Sequence, residues 1–167
     1  LIAGSTTSVG SHDGTTDTWW TPTIVSAAVS FASAGLSNIR TTYNTLCKYK
    51  QSDKPDFMVT SQTNFEYYEN LGQPQQRITS TDEMDLGFET LMFKKCQIFW
   101  DENCASGEWY ILNSNHLNVV VMSGREFSPT EWVKPANQDA KTMQLLWMGN
   151  VSTNERRKLG ALTNLSA

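Results

Sequence analysis

The sequence predicts an α+β fold, and three observations carry that prediction. Apolar residues recur at helical spacing in the first half of the chain. Short apolar or alternating runs suited to strands dominate the second half. The two types are not interleaved, as a doubly wound parallel sheet would require. Six Trp, seven Phe and five Tyr supply a core and exclude wholesale disorder.

Residues 1–18 are rich in Gly, Ser and Thr and read as an extended connecting segment. Packing begins at Trp19-Trp20. The first helix is expected from Leu36 to Tyr49, because Leu36, Ile39, Tyr43, Leu46 and Cys47 share one face. Ser33 or Gly35 can start it, and the stretch 51–55 ends it at Pro55, which lacks an amide hydrogen. Phe57 to Thr60 reads as a short buried strand. Thr63 and Glu66 have capping-box spacing and open a second helix carrying Phe65, Tyr68 and Leu71, closed by Gly72 and Pro74. Residues 72–87 read as a loop.

Leu91-Met92-Phe93 and Ile98-Phe99-Trp100 are strand-like. Trp109–Leu112 and Leu117–Met122 flank the polar turn Asn113-Ser114-Asn115-His116 and predict a hairpin. Residues 126–135 are broken by two prolines. Alternation through Met143, Leu145 and Trp147 predicts a strand over Ala140–Met148, with a bulge or turn at Gly149-Asn150.

Composition narrows the function classes. The net charge is -4, and charged residues make up 18%, below the roughly 25% usual for soluble domains. About a third of the chain is Ser, Thr, Asn or Gln. No apolar run approaches the roughly 18 residues of a membrane helix, and no signal-peptide pattern is present. The acidic balance argues against a stand-alone nucleic-acid binder. Cys47, Cys96 and Cys104 form neither a disulfide framework nor a zinc ribbon, and a reducing compartment is the simplest reading. The expected role of Cys96, beside Ile98-Phe99, is that of a small buried hydrophobe.

The search for chemistry yields few candidates. His12 and His116 are the only imidazoles, and neither has a carboxylate or Cys partner at a recognised catalytic or metal spacing. Asp82, Glu83, Asp85 and Glu89 lack the alternation and glycine of a calcium loop. No phosphate-binding glycine motif and no GxSxG is found. The expectation is no catalytic residue, no cofactor and no metal. Asp101-Glu102 beside Trp100, with Trp109, could serve a carbohydrate-active or carbohydrate-binding module, which uses carboxylates near aromatic rings. Against this, adjacent strand residues point to opposite faces. Arg156, Arg157 and Lys158 are the one compact basic cluster and are candidate subunit-interface residues; a solvated strand end is the alternative. The wealth of aromatics and Met matches protein interfaces.

Ordered blocks then bring a family into view. They are Thr18-Trp19-Trp20, Ile39-Arg40-Thr41-Thr42-Tyr43-Asn44 and Pro55-Asp56-Phe57-Met58-Val59-Thr60. Gly87-Phe88-Glu89-Thr90-Leu91-Met92-Phe93-Lys94 leads into Trp100-Asp101-Glu102-Asn103-Cys104 and Tyr110-Ile111-Leu112-Asn113. Pro135 to Ala140, Leu146 to Asn150 and Asn154 to Gly160 complete the series. In order and spacing the sequence resembles tailed-bacteriophage major capsid proteins with the Hong Kong-type shell fold.

The resemblance implies a structural coat protein and not an enzyme. Its copies would assemble into hexamers and pentamers of an icosahedral head around double-stranded DNA, without sequence-specific binding. It implies a connecting segment (1–18), an axial domain (19–122) and return strands of a peripheral domain (123–167). Scaffold, portal and decoration proteins are the implied partners, without a membrane. The implied location is the virion, assembled in the bacterial cytoplasm. The family's long spine helix, N-terminal arm and extended loop are not visible, so the chain is expected to be the C-terminal part of a longer coat protein. Family crosslinking draws its Lys from that extended loop; Asn150 and Asn154 are merely available. A bacterial nanocompartment shell protein of the same fold is a second reading.

Overall fold

The computed structural model describes residues 9, 11–28, 30–48, 52–72 and 91–166. The acidic run 82–89, Pro74 and most of the leading segment's first ten residues lie outside them. Two compact units are distinguished by their contacts. Unit 1 comprises residues 1–116 and 155–167, and unit 2 comprises residues 117–154. These units do not coincide with breaks after residues 18 and 122, and the axial and peripheral labels remain expectations.

Unit 1 is a six-stranded mixed sheet with helices. In chain order its elements are β1 (Thr23–Ser26), α1 (Leu36–Leu46), β2 (Phe57–Thr60), α2 (Gln62–Gly72), β3 (Leu91–Phe93), β4 (Cys96–Trp100) and β5 (Trp109–Leu112). After the excursion through unit 2 the chain returns with a last strand, Gly160–Thr163. That strand lies between β1 and β5, and the order continues β2, β4, β3. It runs parallel to β1 and antiparallel to β5, and β2 runs parallel to β4. The α+β expectation is met with a mostly sheet core.

The core follows from alternation. Met58 lies opposite both Ile98 and Ile111, and Trp109 lies opposite Thr60 and Leu162. These side chains are buried and pack with Phe31, Ile39, Tyr43 and Leu46. Cys96 is buried too, and its thiol donates to the Pro55 carbonyl at 2.7 Å. Gly160 permits the close approach of α1, since a Cβ there would lie 2.9 Å from Leu46 Cδ1.

α1 begins at Leu36 with Gly35 in the N-cap position, as expected, and a π-helical turn, Phe31–Gly35, precedes it. The Phe31 ring folds over Gly35, where an added Cβ would lie 2.7 Å from it. Several expectations are corrected locally. Thr63 lies inside the first turn of α2 and is no cap; the Phe65 amide donates to the Ser61 carbonyl. Lys94 and Lys95 both have positive φ, 49° and 72°, and join β3 to β4 in the two-residue turn that such a pair allows.

The larger correction concerns the hairpin. Both of its strands exist, but they do not pair with each other. β5 pairs with β2 and the last strand. The second, β6 (Leu117–Val121), belongs to unit 2 and pairs with β9 (Gly149–Thr153). Gly149-Asn150 therefore begins a strand and makes no turn. Between these two strands, β7 (Ser128–Pro129) pairs with β8 (Leu145–Leu146), so only two residues of the expected strand Ala140–Met148 form one. The last strand of unit 1 is thus β10.

Gly107 makes a testable point of strain. Its φ is +77°, and a Cβ there would lie 2.6 Å from the Leu165 carbonyl oxygen. The same segment is tied by the Leu165 amide to the Gly107 carbonyl at 3.0 Å. Gly107→Ala is expected to cost about 1–3 kcal/mol, the usual penalty for a side chain in this region. Urea denaturation would show it as a lower midpoint at unchanged slope.

Unit 2 contrasts with unit 1 in burial. No residue from 117 to 154 falls in the buried class. Val119 and Val151 face each other across β6 and β9 and are 67% and 45% exposed. Trp132, Trp147 and Met148 are also exposed. No helix among the described residues is long and apolar enough to cross a membrane.

Candidate functional site

The basic cluster lies at the return of the chain into unit 1. Arg156, Arg157 and Lys158 form a 3-10 turn immediately before β10. This turn inserts two of its three cations into the unit. Arg156 is fully buried and Lys158 is 2% exposed. Arg157 is the outward member; its Nε donates to Glu155 Oε1. The solvated strand end is therefore not what forms at Arg156 and Lys158.

Lys158 reaches across to the segment between α1 and β2. Its ammonium donates to the backbone carbonyls of Leu46 at 3.5 Å and Asp53 at 3.3 Å. It also lies 3.9 Å from Asp53 Oδ2. The Asp53 carboxylate is held on its other sides. Asn113 Nδ2 donates to Oδ1 at 2.7 Å, and His116 Nε2 lies 2.6 Å from Oδ2. His116 Nε2 also lies 3.7 Å from Glu155 Oε2. Next to this, Asp56 fixes the 3-10 turn Ser114–His116, accepting from the Ser114 amide at 2.9 Å and from the Ser114 hydroxyl.

The electrostatics follow from this arrangement. Burial alone would raise the Asp53 carboxyl. Hydrogen bonds from His116 and Asn113, and the charges of His116 and Lys158, more than reverse that and hold it below the usual carboxylate range. Donor atoms of Asp53, His116 and Glu155 lie within 4.8 Å of one another, close enough to surround an ion. Lys158 beside Asp53 and Arg157 on Glu155 already supply positive charge there. The group therefore reads as an ion-pair network that closes three segments of unit 1.

Other expected candidates are placed separately. Trp109 is fully buried, ring-stacked with Phe31 at 5.7 Å, and its indole N–H points to Met58 Sδ. It offers no face to a sugar, so the pairing with Trp100 is not formed. Trp100 is 52% exposed. Asp101 and Glu102 lie in the exposed turn that follows, where Asp101 Oδ1 accepts from the Asn103 amide at 2.7 Å. His12 pairs with Asp17 at 3.0 Å, and its ring contacts those of Trp19 and Trp20. His116, without a sequence-local partner, has two carboxylates in space. Asp53, Asn113 and Glu155 were not legible as site residues, because each partner is distant in the chain.

Comparison with solved structures decides the fold. The structure is similar to a chain of the cyanophage A-1(L) capsid asymmetric unit, with a TM-score of 0.61 and 15% sequence identity. The match covers 99% of this chain. The fold is phage capsid-like. The chain spans 58% of the length of that capsid chain. No family model matches the sequence, and no curated protein matches it.

Proposed function

We propose that the chain is part of a major capsid protein of the Hong Kong type. Its copies self-assemble into hexamers and pentamers of an icosahedral phage head that encloses double-stranded DNA. Beside the capsid-like fold, the observation that carries this reading is unit 2. It presents Val119, Val120, Trp132, Trp147, Met148 and Val151 to solvent and buries no residue. Exposed apolar surface of that kind marks an interaction face, and a shell subunit is covered by the rest of its assembly. Many moderate contacts repeated by symmetry then close the particle.

The remaining parts fit this reading. Unit 2 would carry the peripheral region, and the sheet of unit 1 the axial one. Arg157 is the member of the basic triplet placed to reach a neighbouring subunit, while Arg156 and Lys158 act inside their own. A net charge of -4 suits a wall that holds DNA without gripping it. Scaffold, portal and decoration proteins are the further partners of this reading, and the virion is its location.

Negative-stain electron microscopy of the native source material tests the proposal. Uniform icosahedral particles containing this chain are expected, and their absence would overturn it. Nucleic acid inside the particles separates a phage head from a nanocompartment with enzyme cargo. Val119→Asp, at a 67% exposed position, is expected to abolish particles while leaving the circular dichroism of the chain intact. Normal particles from this variant would show that the apolar ribbon takes no part in assembly.

A further inference from the structure

We propose that unit 1 carries a head-to-tail docking contact for a second copy of this chain. The acidic strand end at Trp100-Asp101-Glu102 of one copy meets the basic strand end at Lys54 and Lys95 of the next. The inference deepens the shell reading and rests on it for the identity of the partner. Strand register sets the two ends apart. β2 and β4 run parallel, with Phe57 beside Gln97 and Thr60 beside Trp100. β5 runs against β2, with Trp109 beside Thr60. Lys54, Lys94 and Lys95 therefore lie at one end of these strands, and Asp101, Glu102 and Glu108 at the other. A strand rises about 3.3 Å per residue, so about 20 Å separate Lys95 from Asp101 along β4. That is about twice the Debye length at physiological salt, and within one copy the two ends barely screen each other.

The ends differ in sign. Among the described residues at the first, Lys48, Lys54, Lys94 and Lys95 are exposed, with Asp56 as the exposed carboxylate. Lys48 belongs there because the Leu46 carbonyl, at the end of α1, accepts from Lys158. Behind them the return turn adds Arg156, Arg157 and Lys158 against Asp53 and Glu155. By formal charge this end is positive whatever contacts these groups make, and whether or not His116 is protonated. The segments that meet at the other end are residues 60–64, 101–108 and 162–166. They hold Asp101, Glu102 and Glu108 and no Lys or Arg.

The acidic end also carries an anchor. Phe99 and Trp100 are 44% and 52% exposed and lead directly into Asp101-Glu102. Aromatic side chains within a charged rim are the composition of an interface hot spot. At the basic end Met92, 56% exposed, lies opposite Gln97, next to the Lys94-Lys95 turn. A thioether and lysine ammonium groups suit an indole through sulfur–aromatic and cation–π contacts. Double-stranded DNA is the other ligand that a lysine end attracts. Phosphates would leave the acidic end and its aromatics without a partner, whereas a second copy occupies both ends. A contact between unlike ends is heterologous and generates a ring where the rotation closes, as the hexamers and pentamers of the shell reading require.

Sedimentation velocity of the full chain carrying Val119→Asp, which puts a charge on the apolar ribbon of unit 2, tests the contact. Association is expected at about 50 mM salt and its loss at about 500 mM, where the Debye length falls to a few Å. Lys54→Glu with Lys95→Glu, or Asp101→Lys with Glu102→Lys, should each leave monomers. All four positions are exposed, and circular dichroism checks the fold. An equimolar mixture of the two double variants should associate again, because each offers the end that the other lacks. Trp100→Ala should weaken association about tenfold or more. If one double variant fails to fold, the other and Trp100→Ala still decide. A monomeric parent at low salt, reversal variants that still associate, a mixture that stays monomeric, or unchanged association in Trp100→Ala would overturn the proposal. So would binding of a short DNA duplex through Lys54 and Lys95 by a chain that does not self-associate. Icosahedral particles in the native material beside such results would leave the shell reading standing, and association without particles would remove that reading alone.

Discussion

Trp109→Ala is expected to destabilise the chain by about 3–5 kcal/mol, the cost of deleting a fully buried large aromatic side chain. Trp109 is 0% exposed and lies on β5, with Thr60 and Leu162 as its cross-strand neighbours. Its ring stacks with Phe31 at 5.7 Å and meets Tyr68 at 5.8 Å. It therefore joins three parts of unit 1: the turn before α1, α2 and the middle of the sheet. Removing it leaves a hole bounded by regular structure, which cannot easily collapse. A domain is stable by about 5–15 kcal/mol, so the loss is a large fraction of the total. Trp109→Phe keeps most of the packing and should cost well under half as much. Urea denaturation followed by circular dichroism would read both. A cost below about 1 kcal/mol for Trp109→Ala would mean that this core is not organised around the indole. The same substitution bears on the carbohydrate reading, in which a stacking Trp would affect glycan binding and leave stability nearly unchanged.

What was legible in the sequence is what depends on near neighbours. The face of α1 could be read because Ile39, Tyr43 and Leu46 recur at helical spacing, and all three are buried. β2 could be read because Phe57–Thr60 is a short run between breaking segments, and it alternates half-buried and buried. The hairpin could not. β5 and β6 lie almost where alternation places them, yet their partners are chosen by distant residues. Asp56 holds the Ser114 amide from 58 residues away, and Asp53 holds His116 from 63 away. Those contacts turn the chain out into unit 2 where a local reading sees a simple reversal. Burial of Arg156 and Lys158 was illegible for the same reason. A run of three cations reads as surface until the carbonyls and carboxylate that meet Lys158 are known. The capsid-like fold was legible only as a resemblance of ordered blocks, since at 15% identity no single block specifies it.

Asp53→Ala is expected to be nearly as costly as the loss of Trp109, but through charge and with a pH signature that cavity formation lacks. The substitution leaves the Lys158 ammonium 2% exposed with only the Leu46 and Asp53 carbonyls as acceptors. It also strips His116 and Asn113 of their shared partner. Breaking a buried pair by removing one member costs about 3–5 kcal/mol. The Asp53 carboxyl is held below its ordinary value in the folded chain. Its contribution is thus present above the unfolded value, near 3.8, and is lost as pH falls through the folded one. The stability gap between wild type and Asp53→Ala should therefore be full at pH 6 and shrink in acid below the unfolded value. The gap for Trp109→Ala should not change in this way over the same range. Asp53→Asn should fall between, because the amide can still accept from Asn113 but carries no charge for Lys158. Denaturation midpoints for the three variants between pH 3 and 7 would check this. An Asp53→Ala gap that is flat in pH would mean that the carboxylate acts as a space-filling group and not as the anion that balances Lys158 and His116.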